Sequence, residues 1–264
     1  QAGLTQVAFH SRRFFCIVWS TTGSMQCAIP SLLLSSFTLR FASAGIPWWP
    51  QRDESVTLDA FDYQDTAKWN ETYPVCGGFK QSPMNLSAAQ HVTSWNTHRL
   101  ADVCSFDVKQ TANSPFRMKN TGHQLIFVPT ATKWTINTTE PGAFRTQRLG
   151  GAFVLKFVRF HFPAEHYSAT EADGEMQFQH KNSADRRLSV AIPLKIGEES
   201  PLLRRLGFDR LPPPGHVRSD IWKFDGPTFL NWVSNSLSGS FQRYEGSMTV
   251  PPCTEDVQWY VMSA

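Results

Sequence analysis

The sequence predicts a strand-dominated fold of the mainly β (α+β) class in a single domain, and three observations predict it. Short apolar runs recur with polar residues between them at period two, the spacing of a half-buried strand. Seventeen prolines and sixteen glycines punctuate those runs and leave little room for long helices. No internal repeat and no linker divides the 264 residues, and a hydrophobic content of 41% with 13% aromatic suits one packed core. The formal net charge of +3 is mild. Lys and Arg never cluster beyond two or three residues, so a nucleic-acid partner is not expected.

The first 52 residues contain no Asp or Glu, and Asp53 is the first acid. Arg12 and Arg13 precede an uncharged run over 14–39; Arg40 and then Ala42-Ser43-Ala44 follow. A basic start, an apolar middle and a small-x-small end make residues 1–44 a candidate secretory signal. The run is long and diluted by Ser, Thr and Pro30, and the acid-free composition also fits an organelle transit peptide. A membrane anchor and a structured extension are the remaining readings, although the many hydroxyl residues argue against stable spanning. Cys16 and Cys27 lie in this leader, which leaves Cys76, Cys104 and Cys253. Asn70, Asn85 and Asn137 each begin an N-x-S/T tripeptide, a glycosylation acceptor if the chain enters the secretory route.

Residues 45–62 read as a lead-in, and 53–75 as an extended, aromatic-containing stretch with Tyr63, Trp69 and Tyr73. A glycine turn follows at Gly77-Gly78 and runs into Gln81-Ser82-Pro83-Met84-Asn85-Leu86, a short edge segment. Strand-like alternation covers 92–109, 116–128, 134–137 and 153–162. The run 188–196 is of the buried-strand type, with Pro193 marking an irregularity or an edge. Residues 201–206 suit one or two helical turns, 211–220 with three consecutive prolines a loop, and 227–236 a short helix. Two strands around a Pro251-Pro252 corner complete the chain.

The most informative stretch is 157–182, two alternating strands joined by a short connection. Side chains at i and i+2 share a strand face, so Arg159 joins His161, and Glu175 joins Gln177 and Gln179. If the strands pair, these five residues meet on one surface.

Five segments, in order, carry a family resemblance. They are Gln81-Ser82-Pro83-Met84-Asn85-Leu86, Asn120-Thr121-Gly122-His123, Phe160-His161-Phe162-Pro163-Ala164-Glu165-His166, Glu175-Met176-Gln177-Phe178-Gln179-His180, and the run 244–255, YEGSMTVPPCTE. Together they resemble the α-class carbonic anhydrases. The resemblance implies a single domain over 63–264, built on a large, mostly antiparallel, twisted central sheet with short peripheral helices. It also implies zinc chemistry, in which three protein ligands and an open position hold a water whose pKa falls from about 15.7 to about 7.

On this sequence the family's ligand positions fall on Arg159, His161 and Gln177. A guanidinium has no lone pair to give, and an amide is a poor zinc ligand. His180 does not replace Gln177, because it lies three residues on and faces the other way. Gln179 falls where the family has an apolar residue lining the CO2 pocket. Arg at the first ligand position and Gln at the third resemble the pattern of non-catalytic carbonic anhydrase-related proteins. The expectation is therefore a protein without zinc, cofactor or hydratase activity, serving as a binding, interaction or structural module. Its partner would be a protein or a small anion in the cavity. An active zinc enzyme with an altered ligand set is the alternative.

Other positions keep the family's residues. Thr249 matches the threonine that orients the zinc-bound hydroxide, Glu165 its hydrogen-bond partner, His123 the proton shuttle, and Glu175 the carboxylate behind the third ligand. Tyr63 and Trp259 match aromatic residues around the cavity. Cys76 and Cys253 occupy the positions of the disulfide in secreted members, which leaves Cys104 as a buried thiol outside the bridge. Members of the family continue well beyond the PPCTE strand, so the resemblance also implies a domain incomplete at its C-terminus, with an exposed sheet edge.

Overall fold

A computed structural model describes residues 7–8, 16–17, 57–86, 93–95, 99–110, 116–129, 132–138, 152–166, 172–221, 233, 235–237 and 239–263. Within the leader only β1 (Val7–Ala8) and β2 (Cys16–Ile17) are described, and they pair antiparallel. The rest of the candidate signal lies outside the described residues, as does most of the helix expected over 227–236.

Among the described residues, apart from the β1–β2 pair, the fold is one 11-stranded sheet with a few short helices. Its strands are β3 (Thr93–Trp95), β4 (Cys104–Gln110), β5 (Phe116–Asn120), β6 (Leu125–Pro129), β7 (Thr132–Thr138), β8 (Phe153–His161), β9 (Gly174–Lys181), β10 (Arg187–Leu194), β11 (His216–Ile221), β12 (Phe241–Gly246) and β13 (Val257–Met262). The main path runs β11-β5-β6-β8-β9-β10-β13-β12-β3, with β7 pairing β8 and β4 pairing β7. Every pair in this sheet is antiparallel except β10 with β13. The mostly antiparallel central sheet is as expected.

Three expectations are corrected. The lead-in over 53–75 is not simply extended: Thr66–Lys68 and Pro74–Gly77 form 3-10 turns, with helix α1 (Trp69–Thr72) between them. The run 92–109 is not one strand. Helix α2 (Leu100–Val103) interrupts it, with Asp102 accepting from the Arg99 backbone N–H, and Leu100 and Val103 packed into the core. The stretch 211–220 is only half loop, because β11 starts at His216, directly after the prolines, and pairs with β5. Helix α3 (Pro201–Arg205) lies where helical turns were expected, its N-cap Ser200 accepting from the Leu203 N–H. Pro193 is tolerated inside β10 because the pairing with β13 ends at Ala191; beyond it that side of β10 requires no ladder donor.

The sheet has two unlike faces. On one, Val158, Phe160, Met176, Phe178, Val190, Ile192 and Tyr260 join the main apolar core. On the other, Ala191, Tyr244, Val257, Trp259 and Val261 form a smaller cluster beside the polar site. β9 is buried on both faces from Gly174 to His180, so its alternation separates apolar Met176 and Phe178 from polar Glu175, Gln177 and Gln179. A bulge in β8 between Leu155 and Phe157 resets the alternation. It allows Leu155 and Val158, three apart, both to reach the core, while Phe157, Arg159 and His161 face the site.

Candidate functional site

Register builds the site. β8 and β9 pair with Arg159 opposite Gln177 and His161 opposite Glu175. All four side chains are buried, Arg159 at 1% exposure and Gln177 at 0%. Gln179, two residues along from Gln177, completes the row.

Each side chain is held by named partners. Gln177 Nε2 donates to Glu165 Oε2 and to Glu175 Oε1, both at 2.8 Å. Its carbonyl oxygen accepts from Gln179 Nε2 at 3.3 Å, and Gln179 Oε1 accepts from the Ser189 hydroxyl. Glu175 also accepts from the His166 backbone N–H at 2.9 Å and faces His166 Nδ1 at 2.7 Å. The His166 Nε2 meets the Tyr244 hydroxyl at 2.6 Å, which in turn meets Ser82 Oγ at 2.8 Å. One chain of polar contacts therefore runs from Ser189 in β10 to Ser82 in the edge segment. A buried network of this kind is stable only when its members are mutually satisfied.

Arg159 is tied elsewhere. Its Nη1 donates to Gln124 Oε1 at 2.9 Å, and Gln124 Nε2 donates to Asp59 Oδ2 at 2.9 Å. Asp59 also accepts from the Thr121 hydroxyl at 2.6 Å, which fastens the lead-in to the sheet. The Arg159 guanidinium carbon lies 5.5 Å from the centroid of the Phe157 ring. His161 Nδ1 faces Glu165 Oε1 at 3.1 Å. Thr249 is buried beside Glu165, but no partner meets its hydroxyl at full hydrogen-bond geometry.

The electrostatics follow from burial. Desolvation lowers the Arg159 pKa, opposed by Glu165, Tyr63, Asp59 and Glu175. His161 falls to about 3, through burial and then the neighbouring Arg159 charge. Glu165 rises to about 7 because it is desolvated, with Arg159, Thr249 and Gln177 holding it back. Glu175 is equally buried but drops to about 2, because His166, by charge and by two hydrogen bonds, outweighs desolvation. Burial and then Glu165 push the Tyr63 phenol up.

Arg159, His161 and Gln177, the residues expected at the ligand positions, do not fit a catalytic zinc. Arg159 brings a buried positive charge and no lone pair. Gln177 has both its amide nitrogen and its carbonyl oxygen engaged by neighbours. His161 alone offers a ring nitrogen, Nε2, without a partner. Among the described residues no group of three or more His, Cys, Asp or Glu side chains is placed to hold a metal ion.

The other sequence-selected residues fall around this centre. His123 is exposed and sits under the lead-in, stacked on Phe61 at 5.7 Å and edge-on to Tyr63 at 5.7 Å. Trp259 is fully buried, with its Nε1 donating to the Ser247 carbonyl at 2.9 Å. His180 lies on the opposite face, in an apolar pocket with Phe106, Trp134, Phe178 and Val190. Cys76 and Cys253 form a disulfide, and Cys104 is buried outside it. Asn70 and Asn85 are exposed, whereas Asn137 is half-buried on β7. Sequence reasoning missed Asp59, Gln124 and Ser189, which hold the row in place. Their elements meet only in the tertiary fold, and nothing in their local sequence signals it.

Comparison with known proteins then gives a consistent result. The family model for eukaryotic-type carbonic anhydrases matches residues 64–197 and 212–264. Among curated proteins, dioscorin DB3L of Dioscorea polystachya is 28% identical over 199 residues, covering 73% of this chain and 65% of its own length. Alpha carbonic anhydrase 4 of Arabidopsis thaliana is 27% identical over 203 residues, covering 74% and 65%. The chain thus spans about two-thirds of the length of these relatives. Among solved structures, the alpha-carbonic anhydrase of Thermovibrio ammonificans superimposes with a TM-score of 0.58 at 22% identity, over 80% of this chain and 84% of that one. The fungal enzyme from Aspergillus oryzae gives 0.58 at 20% identity, over 79% and 83%. At these identities the structural likeness establishes the fold.

Proposed function

The chain belongs to the eukaryotic-type carbonic anhydrase family, and we propose that within it the chain is a binding module that carries no catalytic zinc and hydrates no CO2. Members of the family normally use zinc. The observation that carries the proposal is the pairing of Arg159 with Gln177 across β8 and β9, at the first and third ligand positions. Arg159 has no lone pair to give, Gln177 offers only an amide carbonyl that already accepts from Gln179, and the fixed charge of Arg159 repels a dication. The retained Glu165 and Glu175 serve this protein as parts of a polar network, with Gln177 taking both carboxylates as acceptors. The module works in the secretory pathway or outside the cell, which the Cys76–Cys253 disulfide, the acid-free leader and the three glycosylation tripeptides support. Among the described residues no helix is long and apolar enough to cross a membrane.

Metal analysis and CO2 hydration on purified protein test this reading. The expected outcome is substoichiometric zinc and no hydration above the uncatalysed rate, even with added zinc. Stoichiometric zinc with acetazolamide-sensitive hydration would establish the altered-ligand enzyme instead. A second arm tests the strand register. Combining Arg159→His with Gln177→His places three imidazoles on one face of a paired strand couple, and the folded double variant is expected to bind zinc. A folded double variant with no affinity for zinc overturns the assignment of the ligand positions.

A further inference from the structure

Phe79 is fully exposed, and Val75, four residues before it, is 49% exposed. An exposed large apolar side chain is an informative exception to burial, and it marks a surface that something else covers. The segment between them is held in place. Cys76 is tied to Cys253, and Glu255 accepts from the Lys80 N–H at 2.9 Å. Asn70 stands beside this turn: its Cβ lies 3.3 Å from where a Cβ on Gly77 would be, midway along the chain between Val75 and Phe79. Asn70 is exposed, begins Asn70-Glu71-Thr72, and hydrogen-bonds through its amide to no described residue. We propose that Asn70 carries an N-linked glycan and that this glycan covers the apolar corner at Val75 and Phe79. The proposal rests on the placement of the chain in the secretory route, where such transfer takes place.

The three acceptor tripeptides have unlike surroundings. Asn137 is half-buried within β7, opposite Ser105 of β4, and the Thr138 that follows it is buried. A glycan there has to leave a paired strand in the middle of its ladder. Asn85 is exposed but leads directly into buried Leu86, and its tripeptide ends outside the described residues. Asn70, Glu71 and Thr72 are all exposed. Helix α1 that holds them has only four residues, too few for a stable helix on its own, so the tripeptide stays open to a transferase until the domain folds. In the transfer, Asn70 Nδ2 attacks C1 of the reducing-end sugar of an oligosaccharide carried on a lipid diphosphate. The N–C1 bond forms, the C1–O bond to the diphosphate breaks, the lipid diphosphate leaves, and the amide nitrogen gives up one proton. Gly77 leaves room for the linkage, because a side chain there would press on Asn70 Cβ and stand 3.5 Å from Nδ2. The product is bulky, solubilising and rooted beside the turn whose apolar residues face water.

The test produces the full chain in a eukaryotic secretory host in two forms, one behind an added secretory signal and one with its own leader alone. A glycosidase that converts glycosylated Asn to Asp is applied in heavy-oxygen water, and the labelled peptides are read by mass spectrometry. In both forms Asn70 should be occupied and Asn137 empty. An unmodified Asn70 in protein delivered by the added signal overturns the proposal and leaves the secretory reading intact. A chain that stays in the cytosol on its own leader overturns the secretory reading, and the proposal with it. An occupied Asn137 overturns the selection among tripeptides by the fold. The covering role is tested with Thr72→Ala, which removes the acceptor signal and keeps Asn70, and with Asn70→Gln. Each is checked by circular dichroism and for the Cys76–Cys253 disulfide. Both should bind more of a fluorescent apolar-surface dye than the glycosylated protein. Phe79→Ser in the Thr72→Ala background should return dye binding to the glycosylated level. Equal dye binding with and without the glycan overturns the covering role, and so does an excess that survives Phe79→Ser.

Discussion

Burial acts in opposite directions on an acid and a base, and Glu165 and His180 show the two cases. Desolvation lowers His180 from about 6.5 to about 4, partly opposed by backbone contacts to Leu188 and Phe178. Its folded pKa is depressed, so the stability it contributes is present above pH 6.5 and is lost as pH falls through 4. Glu165 is raised from 4.5 to about 7, so its contribution is full below pH 4.5 and is lost as pH rises through 7. Each effect is worth roughly 3 kcal/mol at most. Urea titrations of wild type, His180→Gln and Glu165→Gln between pH 4.5 and 7.5 separate them. Relative to wild type, His180→Gln should lose less stability on acidification, and Glu165→Gln should gain on wild type as the pH rises. His161, lowered to about 3, adds to the His180 trend and is common to both variants. Pairs of parallel curves would refute the assignment. At this scale the sequence was informative about identity and poor on partnership. The face shared by Arg159, His161, Glu175, Gln177 and Gln179 followed from strand period alone. That Gln124 would hold Arg159, or that Ser189 would close the row at Gln179, depended on strands brought together from distant parts of the chain.

Among elements, the β8–β9 pair was legible because alternation and motif agreed on its register. The bulge in β8 was not, since Leu155 and Phe157 both look like ordinary apolar strand residues until the core claims the first and the site the second. β11 was hidden by the three prolines beside it, and α2 by apolar residues whose spacing also fits a strand. One close approach between elements is testable. A Cβ on Gly246, at the end of β12, would lie 2.2 Å from Ser82 Oγ and 2.6 Å from the Tyr244 ring. Ser82 Oγ is pinned there by the Tyr244 hydroxyl and by the Ser247 N–H, so it cannot yield cheaply. Gly246→Ala should therefore destabilise by about 1–3 kcal/mol in chemical denaturation. Part of that loss should return in a Ser82→Ala background, where the nearest atom is gone. Additive losses in the double variant would mean that the Ser82 contact is not the cause.

For the molecule as a whole, the decisive long-range connection is at the corner where Cys76 meets Cys253, 177 residues later. The disulfide does not act alone there. Glu255 accepts from the Lys80 N–H and from Gln81 Nε2, both at 2.9 Å, and the Ser82 N–H donates to Ser247 Oγ at 2.9 Å. From Ser82 the polar chain continues through Tyr244 and His166 to Glu175, so the corner is mechanically continuous with the site. A crosslink closing so long a loop removes much of the freedom of the unfolded chain, worth about 5 kcal/mol in the chain-entropy model. Replacing both cysteines with serine should lower stability by an amount of that order, measured by urea unfolding under matched conditions. Because β8 and β9 are held by their own ladder and by the apolar core, amide exchange should rise first over the edge segment at 79–86. It should rise later, or not at all, over β9. Exchange that rises equally across both regions would mean that the disulfide supports the sheet itself. Unchanged stability in the double serine variant would mean that the hydrogen bonds at the corner suffice without it.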